Sequence, residues 1–189
     1  MTVWLHIGGM NGFSFDSGLE LARKRYSTWA VEEDDKGPFR PEALHAYAAS
    51  QLGAELITTF SQGRGLPGGW LLLNGPVLNL GSESVVPALA GWRRERLPRL
   101  PRAPGVSLTP DFVCEVFSFG SPHRANRLAL YASEGVVHLW LVDPERRTLE
   151  VLRLDGHRYV LRAAHAGPAI VRAEPFEALD LRLSLLWAE

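Results

Sequence analysis

The sequence predicts an α/β (α+β) fold with C-terminal β-hairpins, and three observations carry that expectation. Residues 110–144 read as strand, helix, strand: positions 111–117 alternate and are rich in Val and Phe, positions 122–134 place Leu128, Leu130 and Tyr131 at helical spacing, and 138–142 is a short apolar run ending at Asp143-Pro144. An alanine-rich helix, 41–52, lies upstream. Downstream, Asp155-Gly156 separates two strand-like runs, the pattern of a tight hairpin.

A chain of 189 residues suits one domain with a substantial core. Its net charge of −1 supplies no global attraction to nucleic acid or to an anionic membrane, so such binding requires a local patch. Cys114 is the single cysteine, which excludes an intrachain disulfide and fits a reducing compartment. No apolar run reaches the roughly 18–20 residues of a bilayer span, and the N-terminus lacks a basic region followed by a signal core. The expectation is a cytoplasmic protein without membrane association. Lysine is scarce: Lys24 and Lys36 stand against eighteen arginines.

In chain order, 2–6 reads as a short strand, 19–29 as helical and 32–38 as a solvated acidic loop. The helix over 41–52 starts with Pro41 and Glu42, which suit its first turn, and is expected to end before Gly53 with Leu44, Tyr47, Ala48 and Leu52 as its apolar face. His45 on this helix has no His or Cys at i+3 or i+4 and reads as a surface or boundary imidazole. Strands are expected at 55–60, 70–74, 77–80 and 84–93, with Pro87 marking an edge or bulge in the last. After 143, strands are expected at 148–154, 157–162 and 169–172. An extended segment turning into a short helix, from Leu179 to Trp187, closes the core. His157 and His165 fall at a turn and a loop.

Three motifs bear on chemistry. Residues 63–69 formally contain G-x-G-x-x-G, but a strand follows instead of the helix whose N-terminus would hold a pyrophosphate, so a nucleotide site is rejected. Residues 92–102, WRRERLPRLPR, carry five arginines. They read either as a solvated connector or as a phosphate-contacting patch with Arg93, Arg94 and Arg96 as its nucleic-acid candidates. Glu115 is the sharpest hint, because carboxylates avoid strand interiors unless something there needs them.

From the helix at residue 41 to the end, the chain resembles the Uma family of restriction-endonuclease-like proteins, of PD-(D/E)XK nuclease type. The resemblance rests on GRGLPGGWLLLN, VVPALAGWRRERLP, LTPDFVCEVFS, LYASEGVVHLWLVDPERRTLEVLRLDG and AEPFEALDL in their order and spacing. It implies a restriction-endonuclease-like core, a mixed β-sheet flanked by helices, over 38–189, preceded by a divergent N-terminal extension, 1–37. It also implies a Mg²⁺ site in which carboxylates from neighbouring strands hold the ion and a nearby cation stabilises the phosphate, with DNA as partner and a homodimer as the expected assembly.

The family pattern is only partly kept. Ala88 stands at the position of the first aspartate, and Glu115 is retained as the second carboxylate and metal ligand. The helix SPHRANRLALY has no lysine, and Arg127, four residues before Tyr131, falls near that position. Asp111 is some 13 Å from Glu115 along the strand at about 3.3 Å per residue, too far to share an ion easily. Glu83 needs a register change to reach the site. These departures favour a catalytically impaired protein, a pseudoenzyme acting by nucleic-acid or protein binding. The alternatives are an active Mg-dependent endonuclease using Glu115, a migrated acid and Arg127 or Arg124, and a protein-interaction module with no nucleic-acid role. A serine hydrolase built from Ser118 or Ser121 with His123 lacks a nucleophile elbow.

Overall fold

Strands whose central members are buried along nearly their whole length assemble into a six-stranded mixed sheet in the order β1-β4-β5-β6-β7-β8. The computed structural model describes residues 43–62 and 69–188, all within the unit Pro41–Glu189. The expected strand at 2–6, helix at 19–29, acidic loop at 32–38, first residues of the helix at 41–42 and most of the glycine loop at 63–69 lie outside these residues. The sheet strands are β1 (Trp70–Asn74), β4 (Leu89–Arg93), β5 (Phe112–Val116), β6 (His138–Asp143), β7 (Thr148–Asp155) and β8 (Arg158–Ala166). Only β5 and β6 are parallel, and the helix α2 (His123–Ser133) crosses between them; every other neighbouring pair is antiparallel. A strand–helix–strand unit joining parallel neighbours is the connection such a pair requires. Two small ribbons complete the set: β2 (Leu78–Leu80) with β3 (Glu83–Val85), and β9 (Ile170–Val171) with β10 (Leu181–Arg182).

Each face of the sheet has its own core. On one, Phe112, Cys114, Trp140 and Val142 pack with Ala48, Leu52 and Leu56 of α1 (Ala43–Leu56). Phe176 sits at the centre of this core, its ring 4.8–5.6 Å from those of Phe60, Trp70, Phe112 and Trp140. On the other face Trp92, Val113, Leu139 and Leu141 pack with Tyr131 of α2. The period-2 alternation of β5 decides the arrangement: Phe112, Cys114 and Val116 face α1, whereas Val113 and Glu115 face α2.

Several expectations fail. The upstream helix does not end before Gly53 but runs to Leu56, and a π-helical turn, Ile57–Ser61, replaces the strand expected at 55–60. Leu52, Leu56 and Phe60 recur every four residues, so continued helix keeps all three buried. Gly53 is needed there for closeness, since a Cβ would run into the Asn74 carboxamide. The apolar face is Ala48, Leu52, Gly53 and Leu56; Leu44 and Tyr47 are exposed. Finally, the strand expected at 84–93 is two strands. The chain leaves the β2–β3 ribbon after Val85, passes Pro87, which has no N–H for a ladder, and enters the main sheet at Leu89. The strands β7 and β9, the turn at Gly156 (φ 59°) and the closing 3₁₀ helix, Leu183–Leu186, fall where the sequence places them, but β8 runs past the expected 162 to Ala166, so His165 lies in a strand paired with Leu149 and not in a loop.

Candidate functional site

Glu115 is buried, with only 4% of its surface exposed, on the α2 face of the central strand β5. Its neighbours across the sheet follow from register. On the parallel side it pairs with Leu141, which pairs with Glu150, which pairs with Ala164. On the antiparallel side the ladder with β4 ends at the Leu89–Cys114 pair, and Ala88, one residue before β4, packs its side chain against the α1-face core. Ala88 is fixed there from both sides. Its carbonyl accepts the Gly75 N–H at 2.9 Å, and its backbone hydrogen-bonds the Glu115 carboxylate. The two positions that the family resemblance assigns to carboxylates are therefore neighbours through the Ala88 backbone, and Ala88 brings no carboxylate to the site.

The helix α2 supplies the rest. Arg124, Arg127 and Tyr131 lie three and four residues apart, which puts them on one side of a helix. Tyr131 donates its hydroxyl to Glu115 Oε1 at 2.5 Å. Arg127 Nε lies 3.8 Å from the same oxygen, and its guanidinium also hydrogen-bonds the tyrosine oxygen. Arg127 Nη1 is buried with no hydrogen-bond partner. One turn earlier, Arg124 Nη2 bridges to Glu150 Oε2 at 2.6 Å. Two acid–arginine pairs thus straddle Leu141.

Burial dominates the electrostatics. It pushes the Glu115 carboxyl up to about 7, against the lowering influence of Arg127, the Tyr131 hydroxyl and the Ala88 backbone. Burial and the neighbouring Glu115 charge push the Tyr131 hydroxyl further above its ordinary value. Cys114, wholly buried on the other face, is raised by burial and by Glu115, so its thiol is a core group and not a nucleophile.

Of the sequence candidates, Glu115 and Arg127 come together and the arginine segment does not join them. Arg93 lies five residues from Ala88 along β4, roughly 17 Å at about 3.4 Å per residue, at the opposite end of the strand. It lies over the Trp70 ring, 4.1 Å from the centroid. Arg96 is paired with Asp111 at 2.6 Å, and the other Asp111 oxygen accepts the Arg93 N–H at 2.8 Å. Arg94 is exposed. Asp111 is therefore engaged in shaping the arginine segment, and Glu83 is exposed in the β2–β3 ribbon. Neither is placed to complete the Glu115 site.

Sequence reasoning overlooked several groups. Tyr131 entered only as an apolar helix residue, although its i+4 spacing from Arg127 was the available signal. His45 is partly buried, and its Nε2 lies 2.9 Å from Ser118 Oγ, so the serine pairs with α1 and not with His123. The nearly buried Asp143 ties two loops together: Oδ2 accepts the Phe119 N–H at 2.7 Å, and Oδ1 accepts those of Glu145 and Arg146 at 3.0 and 2.9 Å. No local pattern around Asp143-Pro144 signals that reach.

Comparison with known proteins bears on the fold and the family. A solved structure described as a "putative nuclease belonging to DUF820", from Anabaena variabilis ATCC 29413, superposes with a TM-score of 0.63 at 20% identity, covering 79% of this chain and 83% of that one. The fold is thus the restriction-endonuclease-like nuclease fold. No curated protein matches the chain. The profile of the Uma2 family, described as "Putative restriction endonuclease", matches residues 38–185, and the chain belongs to that family.

Proposed function

We propose that this chain is a restriction-endonuclease-like protein whose hydrolytic centre is lost and which acts by binding nucleic acid through residues 38–189. One observation carries the reading: Ala88, whose backbone hydrogen-bonds the Glu115 carboxylate, supplies no second carboxylate beside it. Phosphodiester hydrolysis in this fold calls for a hard dication held by several oxygen ligands. The donor set around Glu115 does not fit one. It offers a single carboxylate, with a raised affinity for protons, whose Oε1 already accepts from Tyr131 and faces Arg127. Its cross-strand neighbour on β6 is Leu141, and Ala88 reaches it with backbone atoms. Among the described residues no three His, Cys, Asp or Glu side chains converge as metal ligands. Arg127 takes the place of the family's lysine as a permanently charged guanidinium, which cannot give up a proton.

Binding is supported by Arg93, Arg94 and Arg96, exposed together at the far end of β4. They form a local cationic segment in a chain of net charge −1. The test is a fluorescently labelled DNA duplex incubated with the protein in Mg²⁺ or Mn²⁺, with affinity followed over a range of salt concentrations. The expected result is no cleavage, with binding that weakens steeply as salt rises and that Arg93→Ala/Arg94→Ala reduces. Cleavage abolished by Glu115→Gln overturns the loss of hydrolysis; absence of binding at low salt overturns the nucleic-acid reading.

A further inference from the structure

A second feature lies beside the Arg124–Glu150 pair, beyond the C-terminal ends of the parallel strands β5 and β6. Ligands in sheets with parallel strands bind outside those ends. A cleft of about 230 Å³ sits there, with Phe117, Leu141 and Ala164 among its apolar residues and Arg124, Arg146 and His165 among its polar ones. Phe119 stands at its mouth, 68% exposed. The Arg146 guanidinium lies over its ring, 3.4 Å from the centroid. Arg146 forms no ion pair among the described residues, and His165 Nε2 is buried without a hydrogen-bond partner.

The buried Asp143 explains why this aromatic is held out of the core. By accepting from Phe119 on one loop and from Glu145 and Arg146 on the other, it fixes the ring beneath the guanidinium. The pair is therefore preorganised, so a ligand stacking on it does not have to order two loops. Stacked aromatic and guanidinium faces are the surfaces on which unpaired bases dock, and neighbouring cations hold the attached phosphate. The cleft is smaller than the roughly 300–1,000 Å³ that encloses a whole drug-sized ligand, which suits one base of a longer strand.

We infer that the Phe119–Arg146 cleft binds a single unpaired nucleobase of a DNA strand. The inference rests on the nucleic-acid reading above but uses different residues from the Arg93–Arg96 segment, so the two separate experimentally. The probes are single-stranded oligonucleotides carrying one 2-aminopurine, and the same base fully paired in a duplex. Stacking of the fluorescent base on Phe119 is expected to quench its emission in the single strand and not in the duplex. Phe119→Ala should weaken single-strand binding by roughly tenfold or more and abolish the quenching, whereas Phe119→Trp should retain both. Because Phe119 is exposed, these variants should keep the wild-type melting temperature. Arg146→Gln, which keeps much of the side-chain stem, should weaken single-strand binding and leave duplex affinity unchanged.

Duplex binding without quenching in the single strand, or Phe119→Ala leaving single-strand affinity unchanged, overturns the base site while the nucleic-acid reading stands. Capture of a protein partner through the same cleft with no change in 2-aminopurine emission also overturns it. Failure of the full chain to bind any DNA overturns both.

Discussion

The buried carboxyl of Glu115 gives the most exposed prediction. Its pKa is raised from the ordinary 4.5 to about 7. A carboxyl whose pKa rises on folding favours the folded state fully at pH values below the unfolded pKa, where both states are protonated. That contribution is lost as pH climbs through the folded pKa, because the folded protein must then carry the charge inside. The gap between 4.5 and about 7, at about 1.4 kcal/mol per pH unit, corresponds to about 3 kcal/mol. Glu115→Gln removes the titration while leaving an amide oxygen to accept from Tyr131. Wild type should therefore lose about 3 kcal/mol relative to this variant between roughly pH 4.5 and 8. For a domain of this size that is a change of roughly 6–12 °C in the difference between their melting temperatures. Thermal unfolding of both proteins by circular dichroism, at matched ionic strength, reads it directly, and the comparison cancels every other titrating group the two share. A difference that stays constant across this range, or wild type gaining on the variant as pH rises, refutes the reasoning. Glu115 would then ionise as an ordinary carboxylate, and a main argument against a bound dication would go with it.

Other perturbations test neighbouring parts of the structure. Arg127→Met removes the cation facing Glu115 and should cost about 1–3 kcal/mol more at pH 8 than at pH 5 in denaturant unfolding; an equal cost at both would mean the ion pair contributes nothing. Gly53→Ala forces a methyl group against the Asn74 carboxamide and should destabilise by about 1–3 kcal/mol, a loss that Asn74→Ala in the same chain largely relieves. Asp111→Asn releases Arg96 from its ion pair and removes a negative charge from the arginine segment. Duplex affinity in fluorescence anisotropy should rise a few-fold, with a steeper dependence on salt.

Much of the fold was legible because its signals are local. The β5–α2–β6 unit shows period-2 and helical patterns in turn, and the β7–β8 hairpin is punctuated by its turn. The upstream helix was cut short because Gly53 resembles a helix end. What keeps it helical is the buried run Leu52, Leu56 and Phe60 and the approach of Asn74, which belongs to β1. The split at Pro87 was half legible: the proline marked a weak point, but strand pairing alone determines that the chain changes sheets there.

The candidate site divides in the same way. The sequence by itself determined which residues were present: a glutamate in a strand, an alanine where the resembling family has aspartate, an arginine where it has lysine. The path of the chain into β4 brought the Ala88 backbone to Glu115, packing under α2 took the carboxylate out of water, and that burial overcame Arg127 and Tyr131 in raising its pKa. Likewise Asp111 and Asp143 were visible only as acids, and their meaning came from partners 15 to 24 residues away. Residue types and their periodicity are properties of the chain. Desolvation, opposed charges and shared hydrogen bonds depend on which distant segments meet, so only the tertiary structure decided them.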